Sequence, residues 1–212
     1  YAGINISQYE NIIVFHPYTS NCPYTGAAWI ASPLPPLATN MLPTVWMNGG
    51  LLTGGSVVAH ELGHNLGLPH SHSAQRDRYT TCVYGSSDCT ALEYGDVFDT
   101  MGSATDFRHF NAVQKDLLGW LNFSSAPAIG NITNTGDYVL SRYETSGAGA
   151  HAYYWVNPIT NKKFFFEYRS NHGFDTGISG VTVRVNGLSV AEQNAMAING
   201  MSPEYTQFYT YA

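Results

Sequence analysis

The sequence predicts an α+β protein, in which a mixed sheet with helices (residues 1–123) precedes a β-rich C-terminal region (residues 124–212). Two observations lead to this prediction. Before residue 124, short apolar runs rich in β-branched residues alternate with two segments whose apolar residues recur at helical spacing. After it, strand-like segments follow one another and are separated by Gly, Asn, Ser and Pro turns. The length of 212 residues is ample for a buried core.

Three strands, a loop and a helix are predicted over the first 67 residues. Apolar runs predict a buried strand at residues 11–18 and shorter strands at 26–32 and 45–48. The segment 33–43 carries four prolines and is predicted to be a loop. A helix is predicted over 55–66, because apolar residues recur every four positions from Val58 to Leu66. Gly67 then fits the left-handed position that commonly ends a helix.

The rest of the chain is predicted to contain a long irregular segment, a second helix, four strands and a closing helix. Residues 71–105 are polar and Gly-rich, which predicts an irregular loop. Residues 107–121 carry apolar residues at helical spacing and predict the second helix. Strand-like runs occupy residues 137–143, 151–156, 163–169 and 180–185. The closing helix is predicted over 190–198.

Composition excludes several classes of protein. Only 11% of the residues are charged and 14% are aromatic, which argues against a disordered chain. The formal net charge of -6 disfavours nucleic acids and anionic membrane surfaces as partners, because both bind basic faces. No apolar run approaches the roughly 20 residues of a membrane span. The eight histidines nearly equal the nine lysines and arginines in number, and histidine is the commonest metal ligand.

Few features bear on the cellular compartment. Cys82 and Cys89 flank a Gly/Ser/Asp loop, and either a disulfide between them or buried free thiols would fit the sequence. Three Asn-X-Ser/Thr sequons, which permit a secreted protein, begin at Asn5, Asn122 and Asn131. The chain starts at Tyr1, so we expect a mature or truncated piece of a longer precursor.

Residues 60–70 read HELGHNLGLPH and place three histidines at the spacing of a zinc site. His60 and His64 lie one helical turn apart on the same face, so that both imidazoles can bind one tetrahedral zinc ion. Gly67 lets the backbone turn sharply, and His70 returns as the third ligand. Three protein ligands leave a position for water, which is the arrangement of catalytic rather than structural zinc. Chance would produce this combination about 4 × 10⁻⁵ times in a chain of this composition.

Glu61 follows the first histidine and is rotated about 100° from it around the helix, so that it can approach the open zinc position without being a ligand. We predict that it is the general base: a zinc ion would lower the pKa of a bound water toward about 7, and Glu61 would accept the proton of that water. His72 is a weaker rival to His70 as the third ligand. Asp96 and Asp99 are candidates to accept hydrogen bonds from the imidazole N–H groups, although a turn-capping role explains them equally well.

The motif resembles that of the metzincin metallopeptidases, HExxHxxGxxH. Metzincins carry a methionine turn downstream, and Asp99–Gly102 (DTMG) is similar to it, with Met101 as the methionine. Three further strings resemble the gametolysin family of metzincins: EYGDVFDTMG at 93–102, FFFEYR at 164–169 and GVTVRV at 180–185. The likeness runs from about residue 11 to residue 185.

The resemblance implies a secreted, extracellular zinc endopeptidase with Zn²⁺ as its cofactor and a protein or peptide as its substrate. It implies a catalytic domain with a mixed sheet, a zinc-binding helix, the Met-turn and a C-terminal helix, followed by the β-rich region. Met101 would form an apolar floor under the ligands, and the substrate would lie extended along the edge strand predicted at 26–32. The family suggests extracellular or cell-wall proteins as substrates, and we expect a monomer.

Two other functions are compatible with the sequence. One is a catalytically weak zinc-containing binding or adhesion module derived from a protease, although the intact Glu61 argues against a pure binder. The other is a structural zinc domain, which would need a fourth protein ligand, and His72 is the nearest candidate. Only 59 residues precede His60, fewer than in most metzincins, which leaves an upstream strand and helix unaccounted for.

Overall fold

The computed structural model describes eight stretches of the chain, at residues 5–30, 42–49, 54–75, 90–103, 107–121, 129–145, 149–186 and 206–211. Three predictions lie outside them: most of the loop at 33–43, the pair Cys82 and Cys89, and the helix at 190–198. The chain divides into two compact units, Tyr1–Leu68 and Pro69–Ala212. The predicted division between residues 123 and 124 concerns folding domains and stays a prediction.

The described residues form ten strands and two α-helices. In chain order these are β1 Ile12–His16, β2 Gly26–Ala28, β3 Thr44–Asn48, α1 Gly55–Asn65, β4 Ser71–Gln75, β5 Thr90–Leu92, α2 Ala112–Leu117, β6 Ile129–Asn131, β7 Ala152–Val156, β8 Lys163–Ser170, β9 Ser179–Asn186 and β10 Thr206–Tyr211. The fold is therefore mixed α+β, as predicted. Neither described helix has the length and apolar character that a membrane crossing requires.

The first unit contains a three-stranded sheet in the order β1-β3-β2. The central strand β3 pairs with β1 in parallel and with β2 antiparallel, so that Trp46 lies opposite both Val14 and Ala27. Alternate residues of β3, Val45 and Met47, are fully buried. Helix α1 lies against β2 and β3. Strand β2 is thus an edge strand of this sheet and runs beside the helix that carries the histidine motif.

The second unit contains a seven-stranded sheet in the order β5-β4-β10-β9-β8-β7-β6. The pairs β4–β10 and β6–β7 are parallel and the other neighbours are antiparallel. Helix α2 lies against β8. The apolar core of this unit joins residues of α2 and the turn after it to Ala152 of β7, Phe165 of β8 and Tyr143, which lies outside the strands; the residues of the helix and its turn are Ala112, Val113 and Leu121.

Five charged side chains of the second unit are fully buried and bind one another. Arg169 donates to Glu167 at 2.8 Å and to Asp175 at 2.5 Å, while Arg184 donates to Asp96 at 3.1 Å and also to Glu167. Burial opposes the charge on Glu167, but the guanidinium groups of Arg169 and Arg184 outweigh it and lower the pKa of Glu167 to about 2. The network ties the turn at residue 96 to β8 and β9.

Most predicted elements are confirmed. The following predicted elements are present, with ends shifted by at most two residues: the strands at 11–18, 45–48, 151–156, 163–169 and 180–185 and the helix at 55–66. Strand β2 confirms the first three residues of the strand predicted at 26–32. The helix predicted at 107–121 is shorter, because Asn111 caps its start: the Asn111 side chain accepts the backbone N–H of Gln114 at 3.0 Å.

The prediction that the strand at 11–18 is buried is wrong, because Ile13, Val14 and Phe15 are 37–41% exposed. Two predictions of secondary structure are also wrong. The segment 71–105 contains strands β4 and β5, which pair with each other, and β4 also pairs with β10. The segment 137–143 forms no strand; within it, Arg142 makes an isolated bridge to Tyr168. Val139 in this segment is 79% exposed, and the buried Tyr143 joins the core without belonging to a strand. The apolar run at 137–143 therefore suggested a strand that does not form, because it has no partner strand. The polar run at 71–75 did not suggest a strand, yet it forms one because partner strands are present.

Candidate metal centre

Helix α1 carries His60 and His64 one turn apart and ends just beyond them. Gly67 adopts a φ of 91°, a left-handed conformation that favours glycine. The N–H of Gly67 bonds the carbonyl of His64 at 2.9 Å, and the N–H of Leu68 bonds the carbonyl of Gly63 at 3.0 Å. This is the Schellman pattern of helix termination. The chain consequently leaves the helix axis within three residues of His64 and reaches His70.

One ring nitrogen from each of His60, His64 and His70 lies within 4.8 Å of the other two. A tetrahedral zinc ion with Zn–N distances of about 2.0–2.1 Å needs nitrogens about 3.3 Å apart, a separation that lies within this limit. Three imidazoles are also a donor set that zinc accepts. These residues therefore fit a zinc ion. In the described part of the chain, His72 does not belong to this group.

Hydrogen bonds select the tautomer of two of the three rings. Nδ1–H of His64 donates to the carbonyl oxygen of Leu68 at 2.8 Å, and Nδ1–H of His70 donates to Oε1 of Glu93 at 2.8 Å. Because a backbone carbonyl oxygen and an ionised carboxylate only accept, Nε2 of each neutral ring carries the lone pair that a metal needs. Burial lowers the pKa of His64, although its bond to Leu68 acts in the opposite direction. The neutral, ligating form is thus favoured.

Glu61 lies on α1 between the two helical histidines and is 6% exposed. Burial raises the pKa of Glu61 to about 7, which places it where a carboxyl group can both accept and release a proton near neutral pH. Strand β2 passes directly beside it. A Cβ atom added to Gly26 would lie 2.7 Å from Oε1 of Glu61 and 2.7 Å from Cγ1 of Val57. Only glycine at position 26 leaves room for this carboxyl group.

The segment that contains Met101 is a buried, hydrogen-bonded turn. Met101 is fully buried, and its N–H donates to Oδ1 of Asp99 at 3.1 Å. The carbonyl of Met101 accepts the N–H of Ser71 at 2.8 Å. Ser71 Oγ also donates to Asp99 at 2.5 Å, and Asn111 donates to the same carboxylate. The residue that follows His70 is therefore fixed to this turn by two hydrogen bonds.

The predicted acceptors Asp96 and Asp99 have other partners. Asp96 accepts from Arg184 and from the N–H of Phe98, and Asp99 accepts from Ser71, Asn111 and Met101. The acceptor that binds His70 is Glu93, which sequence reasoning missed. Glu93 is 23 residues further along the chain, and no spacing rule connects the two positions. His72 is buried, and burial lowers its pKa to about 4.

A family model described as metallo-peptidase family M12 matches residues 4–95. The chain is similar to metallopeptidases. The matched segment contains the three histidines, Glu61 and Glu93, and it ends before the turn that contains Met101. Together with the histidine group, the match indicates a zinc-dependent metallopeptidase. No curated protein and no solved structure matches the chain significantly.

Proposed function

We propose that this protein is a secreted zinc endopeptidase of the metzincin type, most like the gametolysin family, that hydrolyses peptide bonds of extracellular or cell-wall proteins. The observation that carries the proposal is the group of His60, His64 and His70 on and directly after the helix that bears Glu61. In this proposal the three histidines hold zinc, and the backbone reversal at Gly67 brings the third of them back to the first two. The protein acts as a monomer.

Zinc, when bound, would supply Lewis-acid chemistry: it polarises the scissile carbonyl and lowers the pKa of a water to about 7. Glu61 takes a proton from the attacking water as general base and passes it to the leaving amine as general acid. A carboxyl group whose pKa lies near 7 before metal binding is suited to both transfers. Met101 transfers no proton; its buried turn holds Ser71 and, through it, the backbone next to His70.

The edge strand β2 supports a position for the substrate. β2 has β3 on one side only in the described sheet, so its other edge can pair with an extended peptide. A Cβ atom added to Gly26 of β2 would lie 2.7 Å from Oε1 of Glu61, so the strand passes close to this carboxyl group. A peptide that pairs with β2 would therefore pass beside the general base, with its scissile bond placed by backbone hydrogen bonds rather than by side chains.

The proposal is tested by Glu61→Gln, with Glu10→Gln as the matched control on an exposed glutamate. We expect Glu61→Gln to lose about 10²–10⁴-fold in kcat/KM on a casein or gelatin substrate, because general-base catalysis contributes about that much. Metal analysis should find one zinc per chain in the wild type and in both variants. Unchanged turnover in Glu61→Gln would refute the mechanism.

Two outcomes would favour the other functions. A wild-type protein that binds zinc and cleaves no member of a peptide library would favour the binding or adhesion module. Zinc that is retained only while a fourth protein ligand is intact would favour a structural domain, and His72→Ala tests this directly. Chelator-sensitive hydrolysis by the wild type would exclude both.

A further inference from the structure

The turn after β5 touches His70 with two consecutive side chains. Glu93 accepts Nδ1–H of His70 at 2.8 Å, and the ring of Tyr94 lies 4.0 Å from the imidazole, centroid to centroid, at an angle of 45°. The Glu93 side chain is 32% exposed and that of His70 is 18% exposed. The imidazole is thus held at one nitrogen by a hydrogen bond and along its face by an aromatic ring.

The backbone of this turn is constrained in a way that fixes both side chains. Tyr94 adopts a φ of 59°, a left-handed conformation that is unfavourable for an aromatic residue. The N–H of Gly95 closes the turn on the carbonyl of Leu92 at 3.0 Å. A Cβ atom at Gly95 would lie 2.1 Å from Oγ of Ser73 in β4, so the turn packs closely on the strand that begins one residue after His70.

Unfavourable backbone conformations persist where the surroundings impose them, and they concentrate at functional sites. Here the residue in the left-handed conformation, Tyr94, is itself one of the two whose side chains contact the imidazole of His70.

We propose that Glu93 and Tyr94 form a positioning pair for His70, in which Glu93 selects the Nδ1–H tautomer and Tyr94 limits rotation of the ring. The proposal rests on the zinc site of the proposed function. Its consequence is that Nε2 of His70 is presented to the metal before the metal arrives. Partners of this kind typically contribute 10–100-fold, roughly, to metal affinity. Neither residue touches the substrate or transfers a proton.

Zinc affinity measures the contribution of the pair. The variants are Glu93→Ala, which removes the acceptor, and Glu93→Gln, which keeps an acceptor oxygen in place. Glu144→Ala is the matched control, because Glu144 is also partly buried in the second unit and binds Ser170 at both its N–H and Oγ. The zinc dissociation constant is measured for the full chain by competition with a chromogenic chelator.

We expect Glu93→Ala to weaken zinc binding by roughly 10–100-fold and Glu93→Gln by less than about tenfold. Glu144→Ala should bind zinc as the wild type does, even if it is less stable. The proposal is overturned if Glu93→Ala keeps wild-type affinity, or if Glu144→Ala weakens binding equally, since the effect would then be a general loss of stability.

The metal-free protein provides a second measurement that does not depend on catalysis. Imidazole ¹⁵N spectra, assigned with His70→Gln, report which ring nitrogen of His70 carries the proton. The wild type and Glu93→Gln should hold the Nδ1–H tautomer, and Glu93→Ala should move toward Nε2–H. An unchanged tautomer in Glu93→Ala would overturn the proposal. If the affinities and tautomers behave as expected and no peptide is cleaved, the positioning pair stands and the proposed function fails.

Discussion

The burial of Glu61 predicts a specific dependence of stability on pH in the metal-free protein. An ordinary glutamate has a pKa of 4.5, whereas Glu61 in the folded chain has a pKa of about 7 because burial disfavours its charged form. The folded state therefore binds a proton more tightly than the unfolded state does. Stability from this group is fully present below pH 4.5, falls as the pH rises toward 7, and stays low above it.

The magnitude follows from these two pKa values. A tenfold change in proton affinity corresponds to about 1.4 kcal/mol. Protonation of Glu61 is therefore more favourable in the folded chain than in the unfolded chain by about 3 kcal/mol. Part of it is already lost at pH 5, where the unfolded chain is largely ionised at this position. Between pH 5 and pH 8 the wild type should lose about 2–3 kcal/mol of its free energy of unfolding through Glu61 alone.

The assay compares urea unfolding of the metal-free wild type and Glu61→Gln at pH 5 and pH 8. Every other titrating group is common to the two proteins, so the difference between their pH dependences isolates Glu61. Glu10→Gln, on an exposed glutamate, should follow the wild type. Zinc should reduce the effect, because a nearby cation favours the carboxylate. If the wild type and Glu61→Gln change by the same amount, to within about 0.5 kcal/mol, the assigned burial of this carboxyl group is incorrect.

Two further substitutions follow from close contacts. Gly26→Ala places a methyl group 2.7 Å from Oε1 of Glu61. We expect kcat/KM to fall about 10²-fold with zinc retained, because misplacement of a catalytic group by about 1 Å costs that much. Equal losses of zinc and activity would contradict this reasoning. Arg184→Ala leaves the buried carboxylate of Asp96 without its cation and should lower the free energy of unfolding by about 3–5 kcal/mol. The exposed Arg142→Ala should change it by less than about 0.5 kcal/mol, and urea midpoints compare the two arginine variants.

The parts of the fold that the sequence predicted are those set by local patterns. Helix α1, its end at Gly67 and the convergence of His60, His64 and His70 follow from one eleven-residue motif, because a helical turn and a backbone reversal place all three rings. Strands β1 and β3 are apolar and β-branched over consecutive residues, and both are present, but only β3 is buried. Such runs therefore predict the strand itself better than they predict its burial.

The features that could not be predicted depend on contacts between distant parts of the chain. Strand β4 is a polar run, SHSAQ, which becomes a strand because β5 and β10 supply its hydrogen-bond partners. The bond from Glu93 to His70 likewise joins residues 23 positions apart through a turn of unusual conformation. Propensity and spacing carry no information about such pairs, so Glu93 could be recognised only once its turn had been placed.

The buried charges of the second unit limit how this sequence can change. Removal of one member leaves another charge buried and unpaired, because all five side chains are 0–1% exposed: Arg169, Arg184, Glu167, Asp96 and Asp175. Exchange of such a set for apolar residues of similar volume is often neutral or stabilising. Viable relatives of this chain should therefore keep or replace the set together, and a homologue with only one of these positions altered should carry a compensating change within the same group.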